Sequence, residues 1–424
     1  MITRTASLLI LALLTASSPA RADAQQDCFN RDGDAAIAAC SEVIRQSPNQ
    51  SRAYNARGLL YRKQGDPDRA LNDFEKAIEL DPTHAGAYTN RGLMLRAKGQ
   101  LDRALADHTK AIELAPKLAA AYNNRSIVYK MKGELDRALA DLDKAIELDA
   151  SYIEAWYNRG TVFGDKGDHD RAVADLTKAI ALDPKLTRAY VSRGDVYRLK
   201  GQLDRAITDL NKAVGLDPRY AGAYSTRGVV LGLKGEVKAA MADFTMAIQL
   251  DPKSPNGYND RGKLHYALFD IERALADFSK AIEVDPNDAS AYNFRGATYK
   301  HIGELDRAIE DYTRAIDRAP DYAVAFYNRA MAYRQKANDK QAERPTGPAA
   351  LPRDILGTLK QGGETFDRAS YERALADFGK AVELDPTFAD ALQGSGEMKQ
   401  QFGDRAGGEA DIVKAHELRQ RSGR

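Results

Sequence analysis

The chain has 424 residues, with 62 lysines and arginines against 61 aspartates and glutamates, for a formal charge of +1 at pH 7. So even a balance gives no general attraction to nucleic acid or to an anionic membrane surface, and neither is expected as a partner. Hydrophobic residues make up 43% and charged residues 29%, with both signs mixed throughout, the composition of a core under solvated faces.

The chain opens with Arg4 before an apolar run, Leu8 to Leu14, then small residues and Ala20-Arg21-Ala22. A basic start, a short apolar core and an A-x-A site predict a secretory signal peptide over residues 1–22. Cleavage after Ala22 is the first choice and after Ala24 the second; an uncleaved anchor is the alternative. The apolar run is shorter than the roughly 20 residues a membrane-spanning helix needs. The expectation is therefore an exported, periplasmic protein with no stable membrane insertion after cleavage. Cys28 and Cys40 are the two cysteines. An even count in an exported chain predicts a disulfide between them, against the alternative of two buried thiols.

From Tyr54 a pattern returns every 34 residues. The aromatic at Tyr54 recurs at Tyr88, Tyr122, Trp156, Tyr190, Tyr224, Tyr258, Tyr292 and Phe326. A fixed period of this size predicts a repeat solenoid in which each unit contacts its neighbours. Within one unit, Tyr54, Gly58 and Tyr61 are four and three residues apart, a single helical stripe. Gly65-Asp66-Pro67 ends that helix and starts the next. Ala70, Phe74 and Ala77 form the second stripe, and Asp81-Pro82 stops it.

The order along the chain follows. Residues 27–50 read as an N-terminal half repeat that caps the stack and carries the cysteine pair. Eight repeats occupy 51–322. The seventh departs from the pattern, with Phe269 in place of the turn glycine and His265 in place of the second aromatic. Residues 323–337 form another first helix. Residues 338–354 hold three prolines and no apolar period, which predicts a flexible linker. The pattern resumes at Gly362, Ala374, Phe378, Ala381 and Pro386. That predicts a further repeat at 355–388, or else one repeat whose turn has swollen. A degenerate capping repeat fills 389–420.

These residues resemble the tetratricopeptide repeat family, whose pattern has an aromatic, a small residue and a second aromatic in one helix, then Ala, a large residue, Ala and Pro. The resemblance implies an all-α fold, an α-solenoid built as a right-handed superhelix of antiparallel helix pairs. It also implies a concave groove, lined by first helices, that binds protein segments. One departure is systematic. The family's Leu is replaced by Arg57, Arg91, Arg125, Arg159, Arg193, Arg227, Arg261, Arg295 and Arg329. An Asp recurs in the second helix at Asp73, Asp107, Asp141, Asp175, Asp209, Asp243, Asp277 and Asp311. The two series predict a repeated structural ion pair.

The groove residues follow from the same register. Two positions after the aromatic stand Asn90, Asn124 and Asn158, flanked by Asn123. The row is similar to the asparagine ladder of O-linked N-acetylglucosamine transferases, and asparagine can pair with any extended backbone. It then runs Ser192, Thr226, Asp260 and Phe294 before returning at Asn328. A basic rim of Arg62, Arg96 and Lys130 lies one turn further on. It suits an acidic segment, although cations at a helix C-terminus are also explained by the macrodipole. The carboxylate clamp of heat-shock co-chaperones is not reproduced, since its slots hold Asn55 and Leu59, or Thr89 and Leu93.

No catalytic motif, cofactor fingerprint or metal-ligand spacing stands out, and the six histidines are scattered. The functional expectation is a non-catalytic protein–protein interaction scaffold of the cell envelope, without cofactor, holding an extended peptide or helix of a partner. The alternative is a regulatory or targeting subunit of an envelope enzyme or assembly machine.

Overall fold

The structure, a computed structural model, describes residues 19–342, 368–401 and 403–421. The expected signal core, most of the expected linker and Gly362 lie outside the described residues. Every regular element among those described is an α-helix. The helices fall into two compact units, the first ending at Gly201 and the second beginning at Gln202.

In the first unit α1 (Pro19–Asn30) pairs with α2 (Gly33–Gln46), α3 (Ser51–Lys63) with α4 (Pro67–Leu80), and α5 (Ala85–Ala97) with α6 (Leu101–Leu114). The series continues through α7 (Ala119–Met131) with α8 (Leu135–Leu148) and α9 (Ile153–Asp165) with α10 (His169–Leu182), ending on α11 (Thr187–Leu199). The second unit opens on α12 (Leu203–Leu216). Then come α13 (Ala221–Leu233) with α14 (Val237–Leu250), α15 (Pro255–Ala267) with α16 (Ile271–Val284), and α17 (Ala289–His301) with α18 (Leu305–Arg318). The last pairs are α19 (Ala323–Ala342) with α20 (Arg368–Leu384) and α21 (Ala389–Gln401) with α22 (Arg405–Arg421). Each unit is thus an α-solenoid of stacked helix pairs.

The pairing is written in small residues. Ala70, Ala77 and Phe74 are fully buried between α3 and α4. A Cβ on Gly58 would lie 2.7 Å from Cε1 of Phe74, so only glycine lets the ring sit there. The turn between the helices closes at Gly65 with φ +78°, the left-handed conformation that glycine adopts without steric cost. Asp66 then caps α4 by accepting from the Arg69 N–H, and Pro67 opens it.

The recurrent arginine has a structural task. Arg57 Nε and Nη2 donate to both carboxylate oxygens of Asp73 at 2.8 Å, and Nη1 donates to Ser41 in the preceding pair at 3.0 Å. The same fork joins Arg125 to Asp141 and Thr109, Arg261 to Asp277 and Thr245, and Arg295 to Asp311 and Ser279. One guanidinium thus bolts its own two helices together and ties them to the previous pair, a task suited to its planar set of donors. The side-chain hydrogen bond to aspartate raises the pKa of these arginines. The predicted pairing of the two series is what the structure shows.

The two ends of the stack show further pairings. Arg329 on α19 bonds Asp377 on α20, at 2.7 and 2.8 Å, across 48 residues where other pairs span 16. The lengthening is 32 residues, short of a full 34-residue period. α19 and α20 therefore pack as a helix pair, although they lie far apart in sequence. Of the separate repeat expected at 355–388, residues 355–367 lie outside the described residues, and α20 supplies its second helix. The helix expected over 323–337 runs on to Ala342, so residues 338–342 of the expected linker are helical. At the other end, α1 and α2 are joined by a Cys28–Cys40 disulfide, with Cα atoms 4.5 Å apart and both side chains buried.

Candidate binding surface

Consecutive first helices touch one another: α3 with α5, α5 with α7, α7 with α9, then α13 with α15, α15 with α17 and α17 with α19. Among the described residues, consecutive second helices do not. The first helices therefore line the inner side of each unit. The residues one and two positions after each aromatic lie where neighbouring first helices meet.

In the first unit these positions bond to each other. Asn90 Nδ2 donates to Asn55 Oδ1 at 2.9 Å, and Asn158 Nδ2 to Asn123 Oδ1 at 2.8 Å. Tyr157 and Ser192 face each other at 3.4 Å in the same register. The residue after one aromatic thus pairs with the second residue after the next, and in both asparagine pairs it accepts. Asn123 is only 3% exposed and is used in this way, so it is not an accessible groove residue as expected. Asn90 and Asn158 each spend one amide N–H on the neighbouring repeat and stay half-buried on the inner face. Asn124 is half-buried on the same face, where the preceding slot is Thr89 and the hydroxyl bonds its own helix at Ala85.

The basic rim is also uneven. Lys130 is paired with Asp165 at 2.9 Å and donates to Thr161 at 3.1 Å. Arg62 is exposed. Arg96 is half-buried, and burial pushes its pKa down.

The second unit differs. A cleft of about 800 Å³ opens on the inner side of α13, α15 and α17, lined by Ser225, Asp251, Asn259, Asp260, Lys263, Asp285, Asp288, Ser290 and Tyr322 among others. The register explains why it opens here. The residue just before each first helix is Gln50, His84, Leu118, Tyr152, Leu186 or Tyr220 in earlier copies. At α15 and α17 it is Ser254 and Asp288, which cap their helices and leave the space of a large side chain empty. Ser225 Oγ donates to Asp260 Oδ2 at 2.5 Å, in the register of the asparagine pairs. Burial, with the Asp288 charge adding, pushes the Tyr322 hydroxyl pKa up.

The next rung is broken. Asn259 should accept from the second residue after Tyr292, as Asn293 accepts from Asn328 at 2.9 Å. That residue is Phe294, which has nothing to donate. Asn259 instead donates Nδ2 to Asp288 Oδ2 at 2.5 Å, and its Oδ1 has no hydrogen-bond partner although the residue is 5% exposed. No signal in the single repeat marks this site. It appears only when small caps and the Phe294 substitution are set side by side in register.

Tetratricopeptide repeat sequence patterns match residues 51–84, 74–106, 153–186, 259–323 and 302–354, and a TPR repeat pattern matches 92–133, 128–167 and 194–235. The chain belongs to the tetratricopeptide repeat family. Tetratricopeptide repeats are protein–protein interaction scaffolds, and that is the class of this chain. Among solved structures, a tetratricopeptide repeat protein from Parabacteroides merdae is 25% identical with a TM-score of 0.51, covering 59% of this chain and 98% of its own. YrrB, described as a TPR protein with an unusual peptide-binding site, is 29% identical over 43% of this chain and 95% of its own, with a TM-score of 0.35. MamA is 30% identical over 39% of this chain and 96% of its own, also at 0.35. Of these three, the first alone superposes well enough to bear on the fold. Curated proteins give no match.

Proposed function

We propose that this tetratricopeptide repeat protein is an exported, non-catalytic scaffold of the cell envelope that holds an extended segment or a helix of a partner protein against its first helices. The observation that carries this reading is the polar cleft of about 800 Å³ on the inner side of α13, α15 and α17. Pockets of a few hundred Å³ with a small number of placed polar groups are where proteins hold ligands. Much of what recurs with the period is spent on packing, on the arginine fork and on polar bonds between neighbouring repeats. The binding surface we propose centres on this cleft, with the exposed Arg62 and half-buried Arg96 as secondary contacts on the first unit.

Export is supported by the pattern of residues 1–22 and by the Cys28–Cys40 disulfide, which persists in an oxidising compartment such as the periplasm. Among the described residues no helix is long and apolar enough to cross a membrane. Cross-linking in the envelope of the cell that makes the protein, followed by pull-down of the mature chain, is expected to recover a partner at the cleft. Recovery of none, where a control scaffold recovers its own, would contradict the reading.

A further inference from the structure

We infer that the second-unit cleft takes the cationic side chain of an arginine or lysine in the partner segment; this rests on the scaffold reading above. Four carboxylates line the cleft, Asp251, Asp260, Asp285 and Asp288, against one cation, Lys263. Lys263 is already engaged. It reaches Asp260 Oδ1 at 3.3 Å and lies 4.7 Å from the centre of the Phe294 ring. Neutralising one carboxylate, it leaves the cleft with an excess of acceptors.

The second observation is independent of that charge. Asn259 Oδ1 is a buried acceptor without a donor. Its orientation is fixed, because Nδ2 must face the Asp288 carboxylate. A buried, unpaired polar atom is costly to leave so, and a ligand bearing N–H groups would satisfy it. Lining and orphan atom thus ask for the same chemistry, a positively charged donor.

Competing occupants fit less well. An anion would use the N-termini of α15 and α17. Those are already capped, by Ser254 on the Asn256 N–H at 3.4 Å and by Asp288 on the Ser290 and Ala291 N–H groups at 2.9 and 3.1 Å. Among the described residues no group of three or more His, Cys, Asp or Glu is placed to hold a metal ion. A guanidinium or ammonium on a flexible stem meets both needs, with the apolar stem resting on Tyr322 at the edge of the cleft.

The test uses the full mature chain and a short alanine-based peptide carrying arginines, labelled for fluorescence anisotropy, with glutamate and citrulline versions as controls. The arginine peptide is expected to bind saturably and more weakly as salt rises, and the glutamate peptide not to bind. The double variant Asp260→Asn, Asp288→Asn keeps the Ser225 partner and the α17 cap, so it should fold, yet weaken arginine-peptide binding about tenfold or more. Asn259→Leu should weaken it as well, while circular dichroism stays helical. Equal binding of the citrulline peptide, unchanged binding by the double variant, or no saturable binding, the result for a cleft that holds water alone, would each overturn the proposal. Failure of the scaffold reading looks different: no partner cross-links to the chain in the cell, whatever the arginine peptide does.

Discussion

The inner face of the first unit and that of the second are built on one register, and they differ at the rung of Asn259. In the first, Asn90 and Asn158 each find an acceptor on the neighbouring first helix. In the second, Asn259 loses that arrangement to Phe294, and small caps at Ser254 and Asp288 open a cleft beside it. The contrast shows that in a repeat protein the informative residues are those that stop obeying the register. A row that repeats is being used by its neighbours; a row that breaks leaves surface for something else.

The comparison assumes that both units share one scaffold, which can be broken directly. Arg125→Leu in the first unit and Arg261→Leu in the second should each cost about 3–5 kcal/mol, because each strands a buried aspartate. Urea denaturation followed by circular dichroism measures both. A loss in one unit and none in the other would mean the frames differ.

The next effect belongs to the first unit alone. His108 occupies the slot of Phe74 and Phe278, fully buried, with neither ring nitrogen bonded. Burial, with Arg96 and Arg125 adding, holds its pKa at about 4 against an ordinary 6.5. Folding therefore favours the neutral ring. The stability this gives is present above pH 6.5 and is lost as pH falls from there towards 4, by about 3 kcal/mol. His108→Phe should flatten that pH dependence, seen as a smaller drop in thermal midpoint between neutral and acidic buffer. An unchanged slope would contradict the assignment.

Smaller changes separate the two asparagine states. Asn158→Ala removes a bond that is made and should cost about 1 kcal/mol. Asn259→Ala deletes an unsatisfied acceptor together with one bond to Asp288, so its cost should be clearly less by the same urea titration. Phe269 tests the worn turn of the second unit. It holds φ 60° where other copies have glycine, and it is 74% exposed. Phe269→Gly should gain about 1 kcal/mol. A loss would mean that the ring contributes more than its backbone costs.

Much of the fold was legible because periodicity repeats its own evidence. The paired stripes, the turn glycines, the arginine and aspartate series and the cysteine pair all stood in register. Even so, Asp377 was missed as the last aspartate, because it stands 48 residues from Arg329 where other pairs span 16. So was the polar side chain two residues after most of these aspartates, such as Thr109, Asp143 or Ser279, which takes the remaining arginine donor. The candidate site was far less legible. Asn90, Asn124 and Asn158 were visible as a row, but their use depends on a residue one repeat away. The cleft depends on what is absent at Ser254 and Asp288, and an absence carries weight only against aligned copies.

The most direct measurement compares the two faces in one experiment. A photo-cross-linking side chain is placed at the exposed Asn256 on the cleft, and separately at the exposed Arg62 on the first unit, and each chain is irradiated in the cell that makes it. The cleft position is predicted to give a discrete protein adduct that the Asp260→Asn, Asp288→Asn background weakens. A strong adduct from position 62 with none from position 256 would place the partner on the face where the asparagines are already paired, and would contradict the account.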